Sequence, residues 1–119
     1  MRRLSFKKAY IEPILAGRKT STLRAGTHID VGDEVMLTCD WGKPPFAYAI
    51  ARAVSDVGLA DIDSDLARAE GFDTREELVA ALLDHYPDVE RFVRVDFELQ
   101  PRVGDGGSVV AGDGRLVPE

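Results

Sequence analysis

The chain has 119 residues, of which 45% are apolar and 30% charged, as in a single globular domain with its own core. No run of about 18 apolar residues indicates a membrane span. The net charge of −6 is uneven, because residues 1–24 carry a balance of +6 and the remaining residues a balance of −12. This distribution argues against long double-stranded DNA as a partner, but a local basic patch could hold a small anionic ligand.

The first predicted elements are two short strands with a helix between them. Residues 4–6 form a candidate strand, and apolar residues at helical spacing predict a helix over residues 9–16. Gly17 follows the last apolar residue and suits the left-handed position that closes a helix. The β-branched, hydroxyl-rich residues 20–23 predict the second strand.

Three strands and two helices are predicted in the rest of the domain. The first strand follows the Val31-Gly32-Asp33 turn, and the second covers residues 46–57. The third covers residues 92–99, at the end of the domain, where apolar and polar residues alternate strictly. One helix is predicted over residues 63–70. A second begins at the capping box Thr74-Arg75-Glu76-Glu77 and ends before Pro87. The apolar stripe of this second helix consists of Leu78, Ala81, Leu82 and His85.

This order of elements predicts an α+β fold, a mostly antiparallel β-barrel or sheet with flanking helices. We assign it to residues 1–100. Residues 101–119 contain five glycines and weak periodicity, so we expect a glycine-rich tail or extension there and not a second domain.

Cysteine and histidine usage argues against a metal site. The single cysteine, Cys39, cannot form an internal disulfide or a thiolate zinc cluster, and His28 and His85 are not spaced as ligands. The basic start of the chain lacks the apolar run of a secretory signal. We therefore expect a cytoplasmic protein with no metal and no other cofactor. The sequence leaves the oligomeric state open.

The stretch GRKTSTLR, residues 17–24, concentrates three cations and three hydroxyls in an acidic protein. Alternation along a strand puts Thr20, Thr22 and Arg24 on one face and Ser21 on the other, so that Ser21 is interpreted as structural. Lys19, if it lies in the turn before the strand, can reach the face of Thr22. Such a cluster can also be a solvated strand edge.

A threonine, a lysine and an arginine at this spacing can form part of a hydrolytic site. A threonine hydroxyl needs an adjacent base to become a nucleophile. A lysine can be that base if burial and a nearby cation lower its pKa, and Arg24 could supply this cation or bind an oxygen that develops negative charge. A carboxylate that moves protons would complete the site.

The run from Phe6 through GRKTSTLR resembles the signature of the ASCH domain family, a relative of the PUA RNA-binding fold. The resemblance covers roughly residues 4–99 and continues at Val31-Gly32-Asp33, Glu70-Gly71-Phe72, Tyr86-Pro87 and residues 93–98. It implies a PUA-like β-barrel with flanking helices. It also implies a pocket where the Lys-Thr-x-Thr-x-Arg strand meets the helix that carries Glu70.

Small bacterial members of this family include amidohydrolases that act on N(4)-acetylcytidine. The resemblance implies that Lys19 is the base, Thr22 the nucleophile and Glu70 the proton carrier that orients the lysine. The candidate substrate-binding residues are Arg24, Thr20, Tyr86 and Trp41. The expected ligand is therefore a small nucleoside or a short RNA. An RNA-binding or regulatory module without catalysis, and a metal-independent ribonuclease, are the alternatives.

The remaining candidates have ordinary explanations beside the functional ones. Glu70 taken alone is an exposed acid at a helix end. Trp41, with Phe46 and Tyr48, could stack on a base or cover the mouth of a barrel. His85 suits the carboxyl end of its helix, and Cys39 suits a small apolar position in its strand.

Overall fold

The computed structural model describes residues 1–39 and 43–101 and confirms the predicted α+β class. The elements in chain order are β1 (Arg2–Ser5), α1 (Ile11–Leu15), β2 (Ser21–Arg24), β3 (Glu34–Thr38), β4 (Ala47–Gly58), α2 (Ser64–Ala69), α3 (Arg75–His85) and β5 (Arg91–Gln100). Short 3₁₀ turns, Lys8–Tyr10 and Leu59–Asp61, precede α1 and α2. In the part of the chain that the structure describes, no helix has the length and apolar character needed to cross a membrane.

The five strands form one sheet in the order β1-β3-β4-β5-β2. Only β1 and β3 are parallel; every other neighbouring pair is antiparallel. The two longest strands, β4 and β5, pair along most of their length, with a register shift between Ala51 and Ala53. The sheet does not close into the expected barrel, because the edge strands β1 and β2 are each paired on one side only. A side chain crosses this gap: Arg24 Nη2 donates to Ser5 O at 2.7 Å.

Two apolar clusters fill the interior. The sheet cluster is built around Val35, Leu37, Ala51 and Val95, none of which exposes any surface. Ala47, Ala49 and Ala51 of β4 lie on its core face, which explains the alternation of small and large residues in the first half of that strand. The helix cluster joins α2 and α3 to the start of β5; its members are Leu23, Ile62, Leu66, Ala67, Leu78, Leu82 and Phe92. The helix cluster contains residues of both β2 and α2, so it borders the junction between these two elements.

The predicted helix starts are confirmed by their caps. The Asp63 side chain accepts from Leu66 N at 2.8 Å at the start of α2. At the start of α3, Thr74 and Glu77 form the reciprocal capping box. The prediction that His85 is part of the buried stripe of α3 is wrong. It lies in the last turn, exposed, with its ring 4.5 Å from that of Tyr86, and the last residue of α3 in the helix cluster is Leu82, one turn earlier.

Candidate active site

The turn between α1 and β2 delivers Lys19 to the interior. Gly17 adopts the left-handed conformation (φ 82°) that closes α1. The carbonyl of Pro13 then accepts from the backbone N–H groups of Arg18 and Lys19 at 2.9 and 3.1 Å. The Arg18 side chain points outward to Glu12, whereas Lys19 is only 4% exposed. One local turn thus separates a surface cation from a buried one.

The Lys19 ammonium group is surrounded by acceptors. Its Nζ donates to Ser21 O at 2.9 Å, to Glu70 O at 3.1 Å and to Glu70 Oε1 at 3.4 Å. These contacts match the three N–H groups of a protonated lysine. The Tyr10 ring lies 4.9 Å from Nζ and adds a cation–π contact. In the resting site Lys19 is therefore held as a cation.

The surroundings of Lys19 nevertheless weaken its hold on this proton. Burial lowers the pKa of Lys19, the charge and hydrogen bond of Glu70 raise it, and the charge of Arg24 lowers it again, with a net lowering. Burial, with a smaller contribution from Glu70, raises the pKa of Tyr10. Lys19 thus exchanges a proton at lower pH than an exposed lysine.

Glu70 is the C-cap residue of α2, and it is 3% exposed. The position at a helix end indicated an exposed acid, but α2 ends directly against Lys19. Gly71 permits this close approach, because a Cβ there would lie 3.3 Å from Lys19 Cβ and the backbone φ is +93°. The carboxylate therefore points inward and pairs with the lysine.

Ser21 holds the other oxygen of Glu70. Its hydroxyl donates to Glu70 Oε2, and the residue has no exposed surface. The sequence interpretation of Ser21 as a structural residue that faces away from Thr22 did not include this contact. The two residues are 49 positions apart, so no local pattern could indicate it. Lys19 and Ser21 together fix both oxygens of the carboxylate.

Thr22 and Arg24 border the cavity from β2. Thr22 is 4% exposed, and its Oγ1 accepts from Arg24 Nε at 3.0 Å. The Arg24 guanidinium also lies 4.9 Å from the ring of Phe6. Among the described residues Arg24 forms no ion pair. Its charge is thus available to an anionic or strongly polar ligand.

These side chains line one cavity of about 510 Å³ between β1, β2 and α3, a volume typical of small-molecule sites. It contains five of the residues that the sequence indicated: Lys19, Thr22, Arg24, Glu70 and Tyr86. Its aromatic walls are Phe6, Tyr10, Phe72 and Tyr86. Cys39 also lines it and is half-buried. The cavity therefore combines a polar floor with apolar walls.

Other candidates lie elsewhere. The Thr20 side chain is exposed and does not line the cavity, while the Thr20 backbone N–H donates to Ala69 O at 2.7 Å. Trp41 lies outside the described residues. Phe46 packs 6.4 Å from Phe6 against the sheet cluster, and Tyr48 does not line the cavity. The sequence interpretation missed Phe6, Tyr10 and Phe72 as walls, although Phe6 and Phe72 are part of the resemblance to ASCH proteins.

Among the His, Cys, Asp and Glu side chains of residues 1–39 and 43–101, no three are arranged to hold a metal ion. The cations of the site, Lys19 and Arg24, instead suit an anion or a polarised oxygen.

Comparisons with known proteins agree with this architecture. No family model matches the sequence. The chain is 32% identical to the N(4)-acetylcytidine amidohydrolase of Klebsiella pneumoniae (strain 342). The aligned 97 residues cover 80% of this chain and 93% of that enzyme. It is 30% identical to the enzyme of the same name from Edwardsiella ictaluri (strain 93-146), over 98 residues that cover 81% of this chain and 91% of that enzyme. The solved ASCH domain from Lactobacillus crispatus JV V101 matches with a TM-score of 0.66 and 16% identity over 82% of this chain and 79% of that one. The sequence relatives and the shared fold together show that the chain belongs to the ASCH domain family.

Proposed function

We propose that the chain is an ASCH-type hydrolase that removes the acyl group from an N-acylated nucleoside, with N(4)-acetylcytidine as the first substrate to test. The observation that carries this proposal is the buried Lys19–Glu70 pair beside Thr22 in one cavity. Burying two charges is costly, and an apolar pair would stabilise the fold at least as well. The names of the two sequence relatives support the same class of reaction.

The cavity suits a nucleoside in size and in the character of its walls. Its volume of about 510 Å³ leaves room for a pyrimidine ring, a ribose and a small acyl group. Tyr10, Phe72 and Tyr86 offer apolar ring surfaces to a base. Thr22, Lys19 and Arg24 offer polar groups to the amide.

In the first step, the Thr22 hydroxyl oxygen bonds to the acyl carbon of the amide. Lys19 passes a proton to Glu70 Oε1, 3.4 Å away, and then accepts the proton of Thr22. Burial favours this neutral form of Lys19. The lysine exchanges its contact with Ser21 O for one with Thr22 Oγ1 in this step. Arg24, already bonded to that oxygen at 3.0 Å, stabilises the negative charge that develops on the carbonyl oxygen.

In the second step, the carbon–nitrogen bond breaks and the amine of the nucleoside takes the proton from Lys19. The acyl group remains on Thr22 as an ester. Water then adds to this ester and gives its proton to the Lys19–Glu70 pair, and the carboxylic acid leaves. The proton returns to the Thr22 oxygen, which restores the starting site.

The test is release of cytidine from N(4)-acetylcytidine, followed by liquid chromatography with wild type and Thr22→Ala. We expect turnover by wild type and a loss of at least about 10³-fold in Thr22→Ala, the size of the effect of removing a nucleophile. Thr20→Ala is the matched control, because it removes an identical hydroxyl that does not line the cavity. Thr22→Ser should retain part of the activity.

Turnover by Thr22→Ala at the wild-type rate would overturn the assignment of the nucleophile. No turnover by either protein, at high enzyme concentration and long times, would instead favour an RNA-binding module or a ribonuclease that uses the same cavity.

A further inference from the structure

A second cavity, of about 430 Å³, adjoins the first and has an unusual lining. Its polar and charged members are Arg2, Arg3, Arg24, Thr27 and His28. Among the described residues that line it, none is an aspartate or a glutamate. In a protein with 21 acids and a net charge of −6, a cavity whose described lining holds three arginines and no acid is a local reversal of charge. The basic start of the sequence, which the proposed reaction does not use, provides two of these arginines.

The cavity is formed at the open edge of the sheet. β1 contributes Arg2 and Arg3, β2 contributes Arg24, and the loop after β2 contributes Thr27 and His28. The floor is apolar and buried, since Leu4 and Ile29 are 4% and 5% exposed. Thr27 Oγ1 accepts from Ile29 N at 3.3 Å and orders the loop. Side chains from three segments thus surround one concave surface.

Two of the cations have no carboxylate partner in the described part of the chain. Arg2 is exposed and forms no ion pair there. Arg24 bonds to two neutral oxygens, Thr22 Oγ1 and Ser5 O. Guanidinium groups that lie close together repel one another, and an oxyanion between them removes this repulsion. Arginine forks bind phosphate oxygens in pairs, which makes phosphate the anion that this lining fits best.

We propose that the second cavity binds a phosphate group of a nucleotide whose base and acyl group occupy the first cavity. Arg24 is part of both linings, so a ligand can extend from one cavity to the other along its guanidinium group. The identity of the base rests on the proposed function, whereas the phosphate site does not depend on hydrolysis. The phosphate could belong to a free nucleotide or join two nucleosides in a short RNA.

The test is equilibrium binding, measured by isothermal titration calorimetry at low and high salt. The probes are cytidine, its 5′- and 3′-monophosphates and the dinucleoside phosphate CpU. We expect a phosphate-bearing probe to bind about tenfold more tightly than cytidine, the size of one or two charge-assisted hydrogen bonds. Added salt should reduce this advantage, because the arginines of β1 are exposed.

The variants Arg2→Gln and Lys8→Gln separate this site from a general effect of charge. Each removes one positive charge from an exposed side chain, but only Arg2 lines the second cavity. We expect Arg2→Gln to reduce the ratio of phosphate-probe affinity to cytidine affinity severalfold, and Lys8→Gln to leave it as in wild type. Equal reductions by both variants would contradict the proposal.

The pattern across probes distinguishes the outcomes. Tighter binding of a monophosphate indicates a nucleotide, and tighter binding of CpU alone indicates an RNA source. If phosphate probes bind no more tightly than cytidine, or no probe binds, the proposal is overturned. Arg2-dependent binding of a phosphate probe by a protein that does not hydrolyse N(4)-acetylcytidine would support this site and contradict the proposed hydrolase.

Discussion

Two ion pairs show how differently the outer face of the sheet and the cavity use the same charges. Arg52 and Glu98, on β4 and β5, approach to 2.7 Å and are 57% and 60% exposed. Lys19 and Glu70 approach only to 3.4 Å, and 4% of each side chain is exposed. Water screens the shorter pair, so that it contributes little to stability. In the longer pair each buried charge depends on the other for compensation.

Distance alone does not decide how much an ion pair contributes to stability. An exposed pair can be lost at small cost, whereas half of a buried pair leaves an uncompensated charge in the interior. The buried ion pair in the cavity is therefore costly for the stability of the fold, whereas the exposed ion pair on the sheet face changes that stability very little. This difference supports the proposal that Lys19 and Glu70 are functional residues.

Replacing Lys19 should give the largest effect. In Lys19→Met, Glu70 loses its counter-ion, and we expect the free energy of unfolding to fall by about 3–5 kcal/mol. Turnover of N(4)-acetylcytidine should fall by about 10³-fold or more, since the proposed base is absent. Urea denaturation and the chromatographic assay measure the two effects. The double variant Lys19→Met/Glu70→Leu should recover stability but not activity; a single variant as stable as wild type would contradict the model of a compensated pair.

Removing the charge of Glu70 should change the pH dependence of the reaction. The Glu70 carboxylate raises the pKa of Lys19 against the larger lowering by burial, so Glu70→Gln should lower this pKa further. In wild type Lys19 gives its proton to Glu70 within the site, whereas in Glu70→Gln it must lose this proton to solvent before the reaction, so kcat/KM should acquire a rising limb that follows the pKa of Lys19. The maximum should fall about 100-fold, because the proposed proton carrier is lost. Glu98→Gln, on the sheet face, is the control; the absence of such a limb in Glu70→Gln would mean that Lys19 is not the base.

Ser21→Ala should have a smaller effect on the same carboxylate. Loss of the hydroxyl that donates to Glu70 Oε2 should destabilise the fold by about 1–2 kcal/mol and reduce kcat about tenfold. Ser21→Thr keeps the hydroxyl and should restore part of kcat, which a purely structural role would not require. Ser55→Ala, which removes an exposed hydroxyl from β4, serves as the matched control. A kcat of Ser21→Ala equal to that of wild type would show that Glu70 needs no such support.

The sheet face should give the smallest effect. Arg52→Gln breaks the exposed pair with Glu98, and we expect a change in unfolding free energy below about 0.5 kcal/mol. This difference in unfolding free energy should become smaller at 0.5 M salt, because dissolved ions screen exposed charges. Urea midpoints at low and high salt measure it. A loss as large as that of Lys19→Met would remove the contrast between the two pairs.

Local patterns allowed the elements to be predicted, because they depend on residues within one turn or one strand. The capping box at Thr74, the closing glycine at Gly17 and the alternation along β5 are examples. The resemblance to ASCH proteins added Glu70, which composition and spacing alone left as an ordinary helix-end acid. Both sources placed Lys19, Thr22 and Arg24 near one another.

The contacts that build the site could not be predicted in the same way. Glu70 lies 51 positions from Lys19 and 49 from Ser21, so their meeting depends on how α2 packs against β2. The aromatic walls come from separate segments for the same reason. Closure of the sheet was expected from the family, but it depends on whether the edges of β1 and β2 meet, which the sequence of either strand does not encode.

The gap between β1 and β2 has a consequence for how such a protein can evolve. In a closed barrel this wall would be a backbone ladder, which only an insertion or a bulge can reshape. Here the contact across the gap is made by a side chain, from Arg24 to the Ser5 carbonyl. A single codon change at position 24 can therefore widen the opening and alter which ligands enter, while the hydrogen-bonded sheet is left in place.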